Sequence, residues 1–176
     1  MSKPTTTDDG RRNVVLTGFM GTGKTTIGRM LAAELVYEFV DTDRVIEERH
    51  GAIADIFARA GEAAFRDLER KLAAELGERH GLVVSTGGRM VLDPSNAEAL
   101  GRHGVIVCLT ARADTILTRI SSGRTRRPLL DVEDPMARIV ELLGERAEGY
   151  ARFPQFSTDD VHPSAVAHRI AAFVRR

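Results

Sequence analysis

Short apolar runs and amphipathic helix patterns take turns along this chain. Val14-Val15-Leu16 reads as a first buried strand, and Thr25 to about Val36 as the first helix. Tyr37–Asp41 predicts a second strand. Helical spacing then runs from Asp43 to about Arg59, with a break at Gly51. It resumes from Gly61 to about His80, where Phe65, Leu68, Leu72 and Leu76 share one face and Gly81 is the expected stop. Leu82–Ser85 is a third strand. Asp93-Pro94 offers an N-cap followed by proline at the first helical position, opening a helix towards Leu100. Val105–Leu109 predicts strand four, with a helix from about Arg112 to Ile120 behind it. Asp134-Pro135 starts another helix reaching about Tyr150, Phe156–Asp159 is a short fifth strand, and Pro163–Phe173 is the last helix. Such alternation argues for an α/β protein with a parallel sheet covered by helices on both faces. Residues 13–176 are expected to form one three-layer domain behind a flexible tail over 1–12.

One segment breaks the alternation. Ser121–Leu130 is small, polar and basic, with Gly123 near one end, Pro128 near the other and Arg124, Arg126 and Arg127 between them. Framed in this way it reads as a functional flap, a mobile lid over about 121–133. Composition narrows the classes further. The chain has 176 residues, 43% hydrophobic and 28% charged, ordinary for a globular domain. Lys+Arg and Asp+Glu both total 25, so no net field draws nucleic acid or an anionic membrane. No aromatic residues interleave the arginines as RNA binding would require. No apolar stretch is long enough to span a bilayer, and Met1–Arg12 lacks the apolar core of a secretory signal. The single cysteine, Cys108, sits in an apolar strand and reads as a small buried residue; one cysteine excludes disulfides and Cys-based zinc sites. A cytoplasmic monomer with small-molecule partners is expected.

The chemistry starts where the first strand ends. Gly18-Phe-Met-Gly-Thr-Gly-Lys-Thr25 fits G-x-x-x-x-G-K-[ST], fed by a strand and opening a helix. Gly18, Gly21 and Gly23 allow close backbone approach to an anion, and the N–H groups of the helix start point at it. Lys24 can reach the outer phosphates, and the Thr25 hydroxyl can ligate Mg²⁺. Gly21, Thr22, Gly23, Lys24, Thr25 and Thr26 are therefore the expected nucleotide-binding set. Asp41-Thr42-Asp43 closes the second strand on the edge where parallel sheets bind ligands. There Asp41 suits Mg²⁺ and Asp43 suits orientation of an attacking hydroxyl, although Asp43 also reads as a helix N-cap. Arg66 borders the apolar face beside Phe65, three residues before Glu69, and by spacing alone is an intrahelical ion pair. Thr86-Gly87-Gly88 after the third strand reads equally as a ligand approach or a plain turn. The lid arginines suit the charge that spreads over a transferring phosphoryl group, and a lid also keeps water out. Nothing local distinguishes Arg146 from a surface residue.

Taken in order and at their separations, these strings resemble the shikimate kinase family. The matching pieces are the phosphate loop through Arg29, Phe39–Asp43 with Ile46-Glu47, and Ile53–Phe57. They continue with Gly61-Glu62, Phe65–Glu69, Ser85–Gly88, Arg127–Leu130, and Arg146 with Tyr150, so the resemblance covers 13–170. It implies a P-loop fold of the nucleoside monophosphate kinase type, with a five-stranded parallel sheet, a substrate-binding helical region over about 43–70 and a closing lid. It further implies ATP as co-substrate, Mg²⁺ as cofactor and phosphoryl transfer to the 3-hydroxyl of shikimate in the chorismate pathway. Carried onto this chain, Lys24, Asp43 and Arg127 would be catalytic, and Arg127 would also contact the nucleotide. Thr25 and Asp41 would serve the metal, while Asp43, Arg66, Gly87, Gly88 and Arg146 would bind the acceptor. Two departures stand out. Arg89 occupies the place of the family's usual third glycine, where it can fill part of the pocket, turn away, or recognise an extra anionic group. Pro154 follows the late helix where the family more often runs smoothly into strand five. A kinase for another hydroxylated carboxylate, and a nucleotide-binding module without catalysis, are the alternative readings.

Overall fold

The computed structural model describes residues 11–122, 130 and 132–176. Five strands, β1 (Asn13–Gly18), β2 (Glu38–Asp41), β3 (Leu82–Ser85), β4 (Gly104–Thr110) and β5 (Gln155–Ser157), form one sheet in the order β2-β3-β1-β4-β5. Every pairing is parallel. The described helices are α1 (Lys24–Leu35), α2 (Thr42–His50), α3 (Ile53–Gly77), α4 (Pro94–Gly101), α5 (Ala113–Ser122), α6 (Pro135–Ala151) and α7 (Pro163–Val174). A 3-10 turn at Met90–Leu92, which the sequence pattern does not signal, follows the double glycine.

Alternation along buried β1 sorts its side chains into two layers. Val14 and Leu16 pack with Ile27 and Leu31 of α1 and Val166 and Ile170 of α7. Val15 faces the other way, in a cluster with Phe65, Leu72 and Leu76 of α3 and Leu100 of α4. Each such side chain, fully buried, contributes about 1.5–3 kcal/mol, which fixes strand register through the two-residue period. A third cluster joins Phe19 of the phosphate loop to Ile116 of α5 and to Ile139 and Leu142 of α6. Cys108 is buried in β4 as expected, and burial pushes its thiol up to about 11, against the opposing charge of Lys24. No helix among the described residues is long and apolar enough to cross a membrane.

Both predicted breaks are real: α2 ends at Gly51, and Gly61, at φ 79°, separates two helical stretches within α3. That helix ends at Gly77, short of Gly81. Its release has a remote cause: Asn13 of β1 accepts from Leu82 N at 2.9 Å and donates to Arg79 O at 2.6 Å, satisfying backbone groups that a longer helix would have used. Pro154 causes no disruption. It lies between α6 and β5, and its carbonyl accepts from Cys108 N at 2.8 Å.

Val36 closes α1 in the left-handed region at φ 58°, a conformation normally left to glycine, and is 81% exposed. Val36→Gly should raise stability by about 0.5–1 kcal/mol, because about 1–2 kcal/mol of backbone strain disappears and part returns as unfolded-state entropy. Thermal denaturation reads this as a higher midpoint; an unchanged or lower one would show the position to be relaxed.

Candidate active site

The phosphate loop leaves the sheet at its centre, where connections from β1 and β3 diverge to opposite sides and a crevice opens at the carboxyl ends. Gly18 makes the exit at φ 134°, and a Cβ there would stand 2.2 Å from Leu109 O. Gly23 caps α1 at φ 94°, with no side-chain cap and no acidic residue in the first turn. The first amides of that helix are thus left to an anion, with the dipole in its favour. The Thr22 hydroxyl is buried and donates to Phe19 O at 2.8 Å, so its side chain braces the loop. Lys24 Nζ lies across the loop, donating to Gly18 O at 2.8 Å and Phe19 O at 2.9 Å. Gly21, Gly23, Thr25 and Thr26 all line the cleft.

The acidic edge divides its work. Asp41, not Asp43, is the N-cap of α2, its Oδ1 accepting from Arg44 N at 3.3 Å. Its Oδ2 accepts from the Thr25 hydroxyl at 3.1 Å. A hydroxyl and a carboxylate side by side at a phosphate loop suit Mg²⁺, which takes few protein oxygens and completes its shell with phosphates and water. Among the described residues there is no cluster of three or more His, Cys, Asp or Glu side chains placed to hold a metal. Asp43 sits in the first turn of α2 and points at the double glycine. A Cβ on Gly87 would be 2.7 Å from Asp43 Oδ1 and 3.3 Å from Glu69 Oε1. One on Gly88 would be 3.3 Å from Arg146 Nη1 and 3.6 Å from the Tyr150 hydroxyl. The turn therefore carries glycine for space, and these two residues floor a pocket walled by Asp43, Glu69 and Arg146.

Arg146, indistinct in sequence, is only 6% exposed on α6 and lies 5.1 Å over the Phe19 ring. The Tyr150 hydroxyl donates to Gly88 O. Arg66 is half-buried, with Nη1 on Glu69 Oε2 at 2.7 Å and its Nη2 and Nε on Glu62 Oε1 at 2.9 and 3.2 Å. Burial raises the Glu69 carboxyl above its ordinary range, and the nearby Asp43 charge adds to this, against the pull of Arg66. Arg66 holds Glu62 below its ordinary range. Arg89 stays at the rim, 56% exposed, with Nη1 3.8 Å from Glu62 Oε1.

These groups share one cleft of about 1660 Å³, running from Val161 and Pro163 past the phosphate loop to Arg66 and Arg146. Arg119 is a residue that the sequence pattern passes over. From α5 it donates to Gly21 O at 3.2 Å, Thr158 Oγ1 at 2.9 Å and Thr158 O at 2.7 Å, tying the phosphate loop to the end of β5. Its only local signal is its place near the end of an amphipathic helix. Arg124, Arg126 and Arg127 lie outside the described residues, as does most of the expected lid.

Fold and cleft together define a P-loop phosphotransferase with a small-molecule acceptor. A family model for shikimate kinase matches residues 20–175. The shikimate kinase of Caldanaerobacter subterraneus is 47% identical over 149 residues, covering 84% of this chain and 86% of the relative. That of Geobacter sulfurreducens is 44% identical over 166 residues, covering 93% and 91%. Among solved structures, shikimate kinase from Acinetobacter baumannii in complex with shikimate superposes with a TM-score of 0.85 at 36% identity, over 94% of this chain and 93% of that one. A Janibacter sugar kinase at 19% identity and a TM-score of 0.63 shares the fold alone. The chain belongs to the shikimate kinase family.

Because the Glu69 carboxyl is raised, its contribution to stability is fully present below the ordinary value of 4.5 and is lost as pH rises through the folded value. Glu69→Gln stays neutral at every pH. The stability of the variant minus that of the wild type, from urea titrations, should therefore widen as pH climbs from 4.5 towards neutrality. A constant or narrowing difference would mean that Arg66 outweighs burial.

Proposed function

We propose that this protein transfers the γ-phosphoryl group of ATP to a hydroxyl of shikimate, giving shikimate 3-phosphate. The observation that carries this reading is the shared cleft, in which a pocket of two guanidiniums and a hydroxyl-orienting carboxylate adjoins the phosphate loop. The Acinetobacter relative, whose structure holds shikimate, supports the choice of acceptor.

Lys24 and the first amides of α1 receive the phosphates. Thr25 and Asp41 are the residues that would hold Mg²⁺, which when bound offsets phosphate charge. Arg66 and Arg146 clamp the acceptor carboxylate, a planar fork matched to a planar anion. Gly87 and Gly88 let the ring approach the backbone. Asp43 orients the acceptor hydroxyl and takes its proton as the oxygen bonds to phosphorus and the bond to the ADP oxygen breaks. Arg127, on the basic segment, is assigned to the charge on the transferring group. The lid is assigned to about 121–133 and the acceptor-binding helices to about 43–70.

A coupled ADP-release assay tests the reaction. Turnover should depend on shikimate; turnover only with another hydroxy acid, or ATP binding with no acceptor-stimulated turnover, would replace this reading. Asp43→Asn should lower kcat by about 10²–10⁴ while ATP affinity stays within a few-fold. Near-normal turnover would remove Asp43 from its role. Arg146→Lys, which keeps the charge but loses the fork, should raise KM for shikimate by on the order of tenfold or more and leave KM for ATP in place. Equal effects on both substrates would show the residue to be structural.

A further inference from the structure

Arg66 is not free to meet an acceptor. Its Nε and Nη2 edge, the one that grips a carboxylate with two parallel bonds, is held by Glu62 Oε1. Its Nη1 is held by Glu69. These two carboxylates are unequal. Glu69 is 2% exposed and fixed in the pocket wall, whereas Glu62 is 54% exposed and directly follows the Gly61 kink. An arriving carboxylate therefore displaces Glu62. Released alone, Glu62 would remain beside the incoming anion and oppose it. Asp43, Glu62 and Glu69 already set three carboxylates against the two guanidiniums of Arg66 and Arg146 around this floor. Arg89 restores the balance. It leaves the double glycine towards Glu62, 3.8 Å from the same oxygen that Arg66 holds.

Resting on the proposed function, we infer that Arg89 is a positioning residue that takes over Glu62 as its counter-ion when the acceptor carboxylate replaces Glu62 on the fork of Arg66. It acts through Glu62 and touches neither the reacting atoms nor the nucleotide. At rest the Arg89–Glu62 pair is long and exposed and contributes little. Its effect falls on the acceptor-bound state, so it belongs in KM for the acceptor.

The test is a two-residue cycle of steady-state kinetics on the full chain, with ADP affinity by calorimetry as the control for folding. Arg89→Gly should raise KM for shikimate about threefold to tenfold, more at low ionic strength, with kcat and ADP affinity within about twofold. Arg89→Lys should stay close to the wild type, because only charge is needed. Glu62→Gln removes the competing anion and should hold or lower KM. Adding Arg89→Gly to Glu62→Gln should then raise KM by less than about twofold. An unchanged KM in Arg89→Gly, or the same rise with and without Glu62, overturns the inference; the second result would place Arg89 on the acceptor itself. A wild type without shikimate-dependent turnover overturns the proposed function and this inference with it.

Discussion

Leu16 O, near the end of the central strand, accepts two hydrogen bonds from one residue, Thr86 N at 3.0 Å and Thr86 Oγ1 at 3.1 Å. This fork fastens the strand that feeds the phosphate loop to the turn that floors the proposed acceptor pocket. A third bond, from Gly87 N to Thr42 Oγ1 at 3.1 Å, adds the start of α2 and with it Asp43. Three loops from three strands are thus held by buried hydroxyls and amides instead of long charged side chains, which suits a reaction needing sub-ångström alignment. Without these bonds the same residues would remain at the sheet edge, but the two substrates would lose their fixed separation.

Around that rigid joint the charges are arranged by depth. Arg146 and Glu69 are buried, and each is held by a partner: Phe19 for the first, Arg66 for the second. Burial raises the Glu69 carboxyl, and Arg66 opposes that shift through the ion pair it makes there. Towards the mouth, Glu62 and Arg89 are exposed and replaceable. The pocket therefore runs from fixed ions at its base to exchangeable ones at its rim.

Much of the fold was legible in the chain because strand and helix periods alternate cleanly and Asp93-Pro94, Asp134-Pro135 and Gly51 mark element ends by local chemistry. The phosphate loop was legible for the same reason: it is one continuous string. What stayed hidden depends on contacts between distant segments. The end of α3 is set by Asn13, 66 residues away from Arg79 in the chain. Arg146 is singled out only by Phe19 and Gly88, and Arg119 only by Gly21 and Thr158. By sequence Asp43 reads as the cap of α2, but that helix starts at Thr42, directly after β2, and Asp41 takes the cap.

The single thiol of this chain lies behind the nucleotide loop, sealed in β4 and far from its reactive form at neutral pH. The protein is consequently a silent background for site-directed labelling. A cysteine introduced at exposed Val132, just ahead of α6, would be the one position to react with a maleimide dye. Its fluorescence would report on the segment that leads into α6, with no native residue to remove beforehand.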